Sequence, residues 1–265
     1  MAPIRFSTSV SLMFREHPML ERFGAARAAG FIGVEIQALD EGDPTAMAAS
    51  AKAAGVTVVL VNVPMADFRD GGPGLSGVPG REPQFEAALH RALDAAERLG
   101  ARLVHVGPSR VPIGMSRPAS VAVYRSNLEM ALKAADGRDI QLLIEPLNTV
   151  EFPEVLLSDL EEAATFVHAV GVDRLGLQFD IFHTAMNGLD PRAAFAAHLR
   201  SIRHIQFSDA PGRHEPGTGS IDFDGIFSDI VASGYQGWVG AEYYPSRRTA
   251  ETFGWLDTLG ARFGQ

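Results

Sequence analysis

The chain has no cysteine, so disulfides, thiolate metal ligands and cysteine nucleophiles are excluded outright. Lysine is nearly as scarce: only Lys52 and Lys133 occur, both in segments that read as helices, which leaves arginine to neutralise an anionic substrate. No apolar run reaches the roughly 18 residues needed to cross a bilayer. Met1-Ala-Pro-Ile-Arg-Phe-Ser leads straight into a strand-like segment with no apolar leader core, so a cytoplasmic protein without membrane contact is the expectation. A formal charge of −9, from 23 Lys+Arg against 32 Asp+Glu, argues against a nucleic-acid partner. No linker, low-complexity tract or second domain interrupts the 265 residues, a length suited to a one-domain α/β barrel of about 250.

What the chain does have is a repeating junction. Glycine sits just past an Ala- or Leu-rich segment, with β-type residues after it, at Gly30, Gly55, Gly100, Gly137, Gly171 and Gly234. The residue after a helix often needs φ > 0, which glycine adopts without a Cβ penalty. Six such junctions mean alternating β and α units, hence a parallel sheet. The intervening segments carry helical periodicity: Phe85, Leu89, Ala92, Leu93, Ala96 and Leu99 share one face, as do Leu128, Ala131, Leu132 and Ala135. Asp43-Pro44, Ser116-Arg-Pro118 and Asp190-Pro191 read as N-caps with proline in the first turn, and Ser158-x-x-Glu161 fits a capping box.

Strand-like runs fall near residues 4–10, 32–37, 56–63, 102–107, 140–145, 175–180, 202–208 and 237–243. Eight βα units predict an α/β fold, a single-domain (β/α)8 TIM barrel over residues 1–265. A doubly wound open sheet is the competitor. It would gather its site at one switch point, whereas here the last four strands each end in a polar side chain.

Those side chains are Glu145, Asp180, Gln206 and Glu242. The C-terminal strand ends of a barrel converge on one mouth. Three carboxylates and an amide oxygen there suit a hard or borderline divalent ion such as Mg²⁺ or Mn²⁺. Glu145 and Glu242 would flank it from opposite sides, placing one carboxylate over each face of a substrate's reacting carbons. A single acidic strand end is commonly a solvated loop residue or a helix N-cap, but four on consecutive strands are hard to read that way.

His183, three residues after Asp180, would sit over the same mouth and hydrogen-bond a substrate oxygen. His204, two before Gln206, points the same way one layer deeper, and His105, inside a strand, reads as a buried core histidine. The glycine- and proline-rich stretches 64–81, 108–118 and 209–220 all follow strands, so they belong to the substrate face, and their length suits closure over a ligand. The last stretch carries Arg213 beside the carboxylates. Arg69, Arg81 and Arg110 are further candidates to neutralise a substrate carboxylate.

Taken together, Ser11-Leu-Met-Phe14, Pro79-Gly-Arg81, Leu143-Ile-Glu145-Pro146-Leu-Asn148, Phe179-Asp180-Ile-Phe-His183, His204-Ile-Gln206, Gly212-Arg213 with Glu215-Pro-Gly-Thr-Gly219, and Gly237-Trp-Val-Gly-Ala-Glu242-Tyr resemble the hydroxypyruvate isomerase family. That family lies among the xylose-isomerase-like TIM barrels, and the resemblance covers nearly the whole chain. It implies interconversion of hydroxypyruvate and tartronate semialdehyde, or of a closely related short sugar acid, through a cis-enediolate. It further implies Glu145 and Glu242 as proton donor and acceptor, and a divalent ion held by Glu145, Asp180, Gln206 and Glu242. Substrate contacts fall to His183, Arg213 and Glu151, which Arg81 and Arg110 join on charge grounds. No nucleotide or redox cofactor is expected; the partner is a small sugar acid, and a homo-oligomer is compatible with this reading. The chain departs from the family at Gly71-Gly-Pro-Gly74, where an arginine is common, and at Thr149-Val150, where a histidine often follows the asparagine.

Three rivals use related parts. A ketose 3-epimerase would employ the same two glutamates and metal but return the proton to the opposite face of the same carbon, and such epimerases usually present histidine where this chain has Gln206. An endonuclease of the superfamily would need a trinuclear zinc cluster, more histidines at strand ends and a basic face. A non-catalytic sugar-acid binding protein is the third.

Overall fold

A computed structural model describes residues 3–264. Its strands are β1 (Arg5–Ser9), β2 (Gly33–Ile36), β3 (Thr57–Asn62), β4 (Leu103–His105), β5 (Gln141–Ile144), β6 (Leu175–Asp180), β7 (Ile202–Phe207) and β8 (Trp238–Ala241). Each lies inside the range marked out by its apolar run. Neighbours in sequence pair in parallel and β8 pairs with β1, so the sheet closes into the expected eight-stranded barrel. The helices are α1 (Met19–Ala28), α2 (Pro44–Ala54), α3 (Glu82–Leu99), α4 (Arg117–Ala134), α5 (Leu160–Val170), α6 (Ile181–Met186), α7 (Pro191–His198), α8 (Phe223–Ser233) and α9 (Leu259–Phe263). Among the described residues no helix is long and apolar enough to cross a membrane.

The local signals act as the residues dictate. All six junction glycines have positive φ, between 68° and 101°. Asp43, Ser116 and Asp190 cap α2, α4 and α7, each with proline in the first turn. At α5 the expected capping box is one residue out of register: Asp159, not Ser158, accepts the N–H of Glu162 at 2.9 Å. Burial of Leu160 as the first helical residue sets that start.

The strands read as apolar throughout, yet their two faces differ. On β6, Leu175, Leu177 and Phe179 join the large apolar shell between sheet and helices, while Gln178 turns inward to Glu145 and Gln206. The hydrophobic core is therefore the shell outside the sheet. Inside the barrel, Leu60, Leu103, Leu143 and Trp238 form a small apolar plug toward the strand N-termini. Above it lie polar side chains, Ser7, Glu35, Gln178, His204 and Gln206, all fully or nearly fully buried. Gly240 on β8 makes room for one of them: a methyl group there would overlap the Glu35 carboxylate.

The loops at the C-terminal mouth, whose composition suggests closure over a ligand, are held by local contacts in this structure. Residues 64–81 carry a 3₁₀ turn (Ala66–Asp70) that buries Phe68, and Leu75, Ser76 and Val78 are buried after it. Asp67 grips Arg81 at 2.9 Å, Gly74 bridges to Ser109, and Arg110 bridges to Val155. In the loop after β7, the buried Asp209 carboxylate accepts backbone N–H groups from Ala210, Gly217, Gly219 and Ile221. These contacts link the loops after β3, β4 and β5 to one another and brace the loop after β7 on itself.

Candidate active site

Three carboxylates meet at the mouth. Glu145 follows β5, Asp180 ends β6 and caps α6, and Glu242 follows β8; all three are buried. Asp180 stands between the other two. Its Oδ2 lies 3.7 Å from His183 Nε2, which is 4.0 Å from Glu145 Oε1. The same Oδ2 lies 4.0 Å from Arg213 Nη2, which is 3.7 Å from Glu242 Oε2. Glu145, Glu242, His183 and Arg213 all line one cavity of about 280 Å³.

The expected arginines divide. Arg213 is buried, lies over the rings of Phe182 and Tyr244 and contacts Glu151 at 3.3 Å. Burial disfavours its charge, but Glu242, Asp180 and Glu151 outweigh that and hold it firmly protonated. Arg81 and Arg110 are not brought to the site. Arg81 binds Asp67 and the Gly74 carbonyl; Arg110 donates to the carbonyls of Phe68 and Gly72 and stacks on the Phe68 ring at 4.1 Å. Neither lines the cavity, and Glu151 reaches it only through Arg213. In the primary sequence, loop arginines look alike; their partners, 14 to 62 residues away, decide which ones stay free.

Residues 23–259 match the family described as xylose isomerase-like TIM barrel. The chain belongs to this family. The 2-oxo-tetronate isomerase of Cupriavidus necator is 34% identical over 252 residues, spanning 95% of this chain and 97% of its own. The hydroxypyruvate isomerase of Escherichia coli is 33% identical over 254 residues, spanning 96% and 98%. A crystal structure from Brucella melitensis, named AP endonuclease, family 2, superposes with a TM-score of 0.90 at 32% identity, covering 97% of this chain and 98% of that one. These full-length curated relatives are isomerases of the hydroxypyruvate isomerase group, and this chain is an enzyme of that class.

In this xylose isomerase-like barrel the donor set fits a divalent cation. Glu145 Oε1 and Asp180 Oδ2 are buried with no hydrogen-bond partner, an arrangement that is costly unless a cation satisfies them. Glu145, Asp180 and His183 each offer an atom within 4.8 Å of the others. His183, however, is set up as a donor. Its Nδ1 faces the backbone N–H of Asn148 at 3.3 Å and the Asn148 side-chain amide at 2.7 Å. The Asn148 Oδ1 accepts from Glu151 N–H, which fixes that amide with its NH₂ toward the ring. The ring proton is thereby assigned to Nε2, the atom aimed at the carboxylates. Gln206 stands apart from the expected ligand set: its Oε1 accepts from Gln178 at 2.6 Å, and it does not line the cavity.

Crowding sets the proton affinities. Burial, with Asp180 and Glu242 close by, holds the Glu145 carboxyl well above the ordinary carboxylate range. Burial also lifts Asp180 to about 6 and Glu242 to about 8, against the opposing pull of Arg213. Carboxyls whose folded values are raised stabilise the fold while protonated, and that stability is lost as pH rises through the folded values. The chelated protein is thus expected to lose thermal stability between about pH 6 and 8, and Mg²⁺ or Mn²⁺ should raise Tm more at pH 8 than at pH 6 because protons compete with the ion. Equal metal-induced shifts at both pH values would contradict the shared carboxylate site.

Below the mouth lies a layer that sequence reasoning missed. The Glu35 carboxylate, fully buried on β2, accepts from Ser7 Oγ (2.7 Å) and His204 Nε2 (2.9 Å) on one oxygen, and from Gln206 Nε2 (2.7 Å) and Gln37 Nε2 (3.1 Å) on the other. Burial alone would raise its pKa, but His204, Ser7 and Gln206 outweigh it and hold the carboxyl below its ordinary value. An ionised carboxylate only accepts, so it fixes the Gln206 amide with its NH₂ downward and its oxygen toward Gln178. Gln178 in turn donates to Glu145 Oε2 at 2.9 Å, linking this layer to the mouth. The available signals were a lone Glu inside the strand Gly-Val-Glu35-Ile and a Gln two residues before Asp180.

His105 is buried, as expected, but it also belongs to the site. It closes β4 and lines the cavity, with Nε2 3.7 Å from Glu145 Oε2. Burial, then His204, depress its pKa to about 3, so it stays neutral beside the acid. The apolar run continues past it to Val106, so the strand end at His105 is visible only in the structure.

Proposed function

We propose that the enzyme interconverts the keto and aldehydo forms of a short sugar acid, hydroxypyruvate and tartronate semialdehyde being the pair that best fits, by proton transfer between Glu145 and Glu242. What carries this reading is the placement of those two buried carboxyls in the wall of one cavity with Asp180 between them. The names of the full-length relatives support the substrate class.

In the forward direction, one glutamate removes a proton from C3 of hydroxypyruvate, leaving a cis-enediolate spread over C2, C3 and their oxygens. The hydrogen on the C3 oxygen passes to the C2 oxygen, and the other glutamate delivers a proton to C2, closing the aldehyde at C3. Their raised proton affinities suit both to exchange protons near neutrality. The His183 Nε2–H and the Arg213 guanidinium supply donors to the oxygens on which charge develops. A divalent ion held by Glu145, Asp180 and Glu242, with Gln206 once Gln178 releases its oxygen, would supply electrostatic stabilisation of the enediolate.

Proton NMR of hydroxypyruvate in D₂O, with enzyme and Mg²⁺ or Mn²⁺, provides the test. Deuterium should enter C3 of recovered hydroxypyruvate and C2 of the product, at a rate lost on chelation. Turnover of neutral ketoses with inversion at C3, and none of hydroxypyruvate, would replace this reading with the 3-epimerase.

A further inference from the structure

We propose that Arg15 and Arg69 form the subsite that receives the substrate carboxylate, and so select sugar acids over neutral ketoses; this rests on the sugar-acid reading above. A carboxylate entering the cavity meets Glu145 and Glu242 in its wall, and needs cations to offset the repulsion. Three arginines line the wall, Arg15, Arg69 and Arg213. Arg213 is already shared among Glu151, Asp180 and Glu242. Arg15 and Arg69 make no side-chain hydrogen bond or ion pair with any described residue, and both are exposed to the cavity mouth.

Their backbones, by contrast, are held. Arg15 sits between Phe14, whose N–H donates to Thr249 Oγ1 at 2.9 Å, and Glu16, whose carboxylate accepts from the Thr249 N–H and hydroxyl at 3.0 and 2.9 Å. Arg69 follows Phe68, which is buried, stacked on Phe152 at 5.4 Å and bound through its carbonyl by Arg110. Fixed backbones carrying free guanidinium groups are suited to a bidentate grip on an incoming carboxylate. The two residues follow β1 and lie in the loop after β3, whereas Asp180, Arg213 and Glu242 come from β6 to β8. A three- or four-carbon acid lying across the mouth would place its carboxylate on the β1–β3 side and its reacting carbons over the glutamates.

The test compares Arg15→Ala, Arg69→Ala and the double variant with wild type on hydroxypyruvate and on dihydroxyacetone, its analogue with the carboxylate replaced by a hydroxymethyl group. The ratio of kcat/KM for the acid over the neutral analogue is expected to fall about tenfold per arginine, mainly through KM for the acid, with Arg→Lys variants intermediate. Tartronate, an unreactive acid of the same size, should bind the wild-type enzyme by calorimetry and bind the double variant at least tenfold more weakly. An unchanged ratio, or unchanged tartronate affinity in the double variant, would overturn the subsite. If wild type does not turn over hydroxypyruvate, the isomerase reading fails, and tartronate binding still decides the subsite: failure of wild type to bind it would overturn the proposal as well.

Discussion

Replacement of Glu145 or Glu242 by Gln is expected to lower turnover of hydroxypyruvate by about 10²–10⁴-fold, the usual contribution of a positioned acid or base. Glutamine keeps the shape of each side chain but removes both its proton-transfer function and its charge as a metal ligand, so the rates are compared at saturating Mg²⁺ or Mn²⁺. It also removes one of three crowded carboxylates, so neither variant should lose stability. Burial and the neighbouring Asp180 and Glu242 charges are what push Glu145 upward, and relief of that repulsion should leave Tm of the chelated protein level or higher at pH 8. Steady-state rates and thermal melts check both halves. Turnover within about tenfold of wild type in either variant would remove that glutamate from the shuttle.

Replacement of Glu35 by Ala is expected to cost about 3–5 kcal/mol of stability, because it strands His204, Gln206, Gln37 and Ser7 in a dry interior without their common acceptor. For a chain of this size that corresponds to a fall in Tm of roughly 10 °C. Glu35→Gln, which keeps one acceptor oxygen, should lose less. In both variants Gln206 is freed to rotate, so metal affinity should weaken along with stability. A Tm within a degree or two of wild type for Glu35→Ala would mean that the carboxylate does not hold the layer.

The two predictions draw on residues of very different visibility. Glu145 and Glu242 stand out as charges that end apolar runs, beside prolines, glycines and further strand ends of the same kind. Glu35 sits inside a four-residue strand, and its partners lie 28 residues away at Ser7 and 169 and 171 away at His204 and Gln206. No local pattern reports a contact of that range. The same holds for the arginines: Arg81 and Arg110, placed at the site on charge grounds, are engaged by Asp67 and by the Phe68 and Gly72 carbonyls. Arg15, in a short segment after β1, carried no such signal and yet lines the cavity.

The barrel itself and the acidic strand ends were determined by the sequence alone. Helix-ending glycines, proline-marked caps and short apolar strand runs are local rules, and eight repeats of them leave one closed solution. Only the tertiary structure decided what fills the barrel and which cations remain free. Those outcomes depend on pairings across the ring, where burial makes every polar group seek a partner and the partner found is set by the closed geometry.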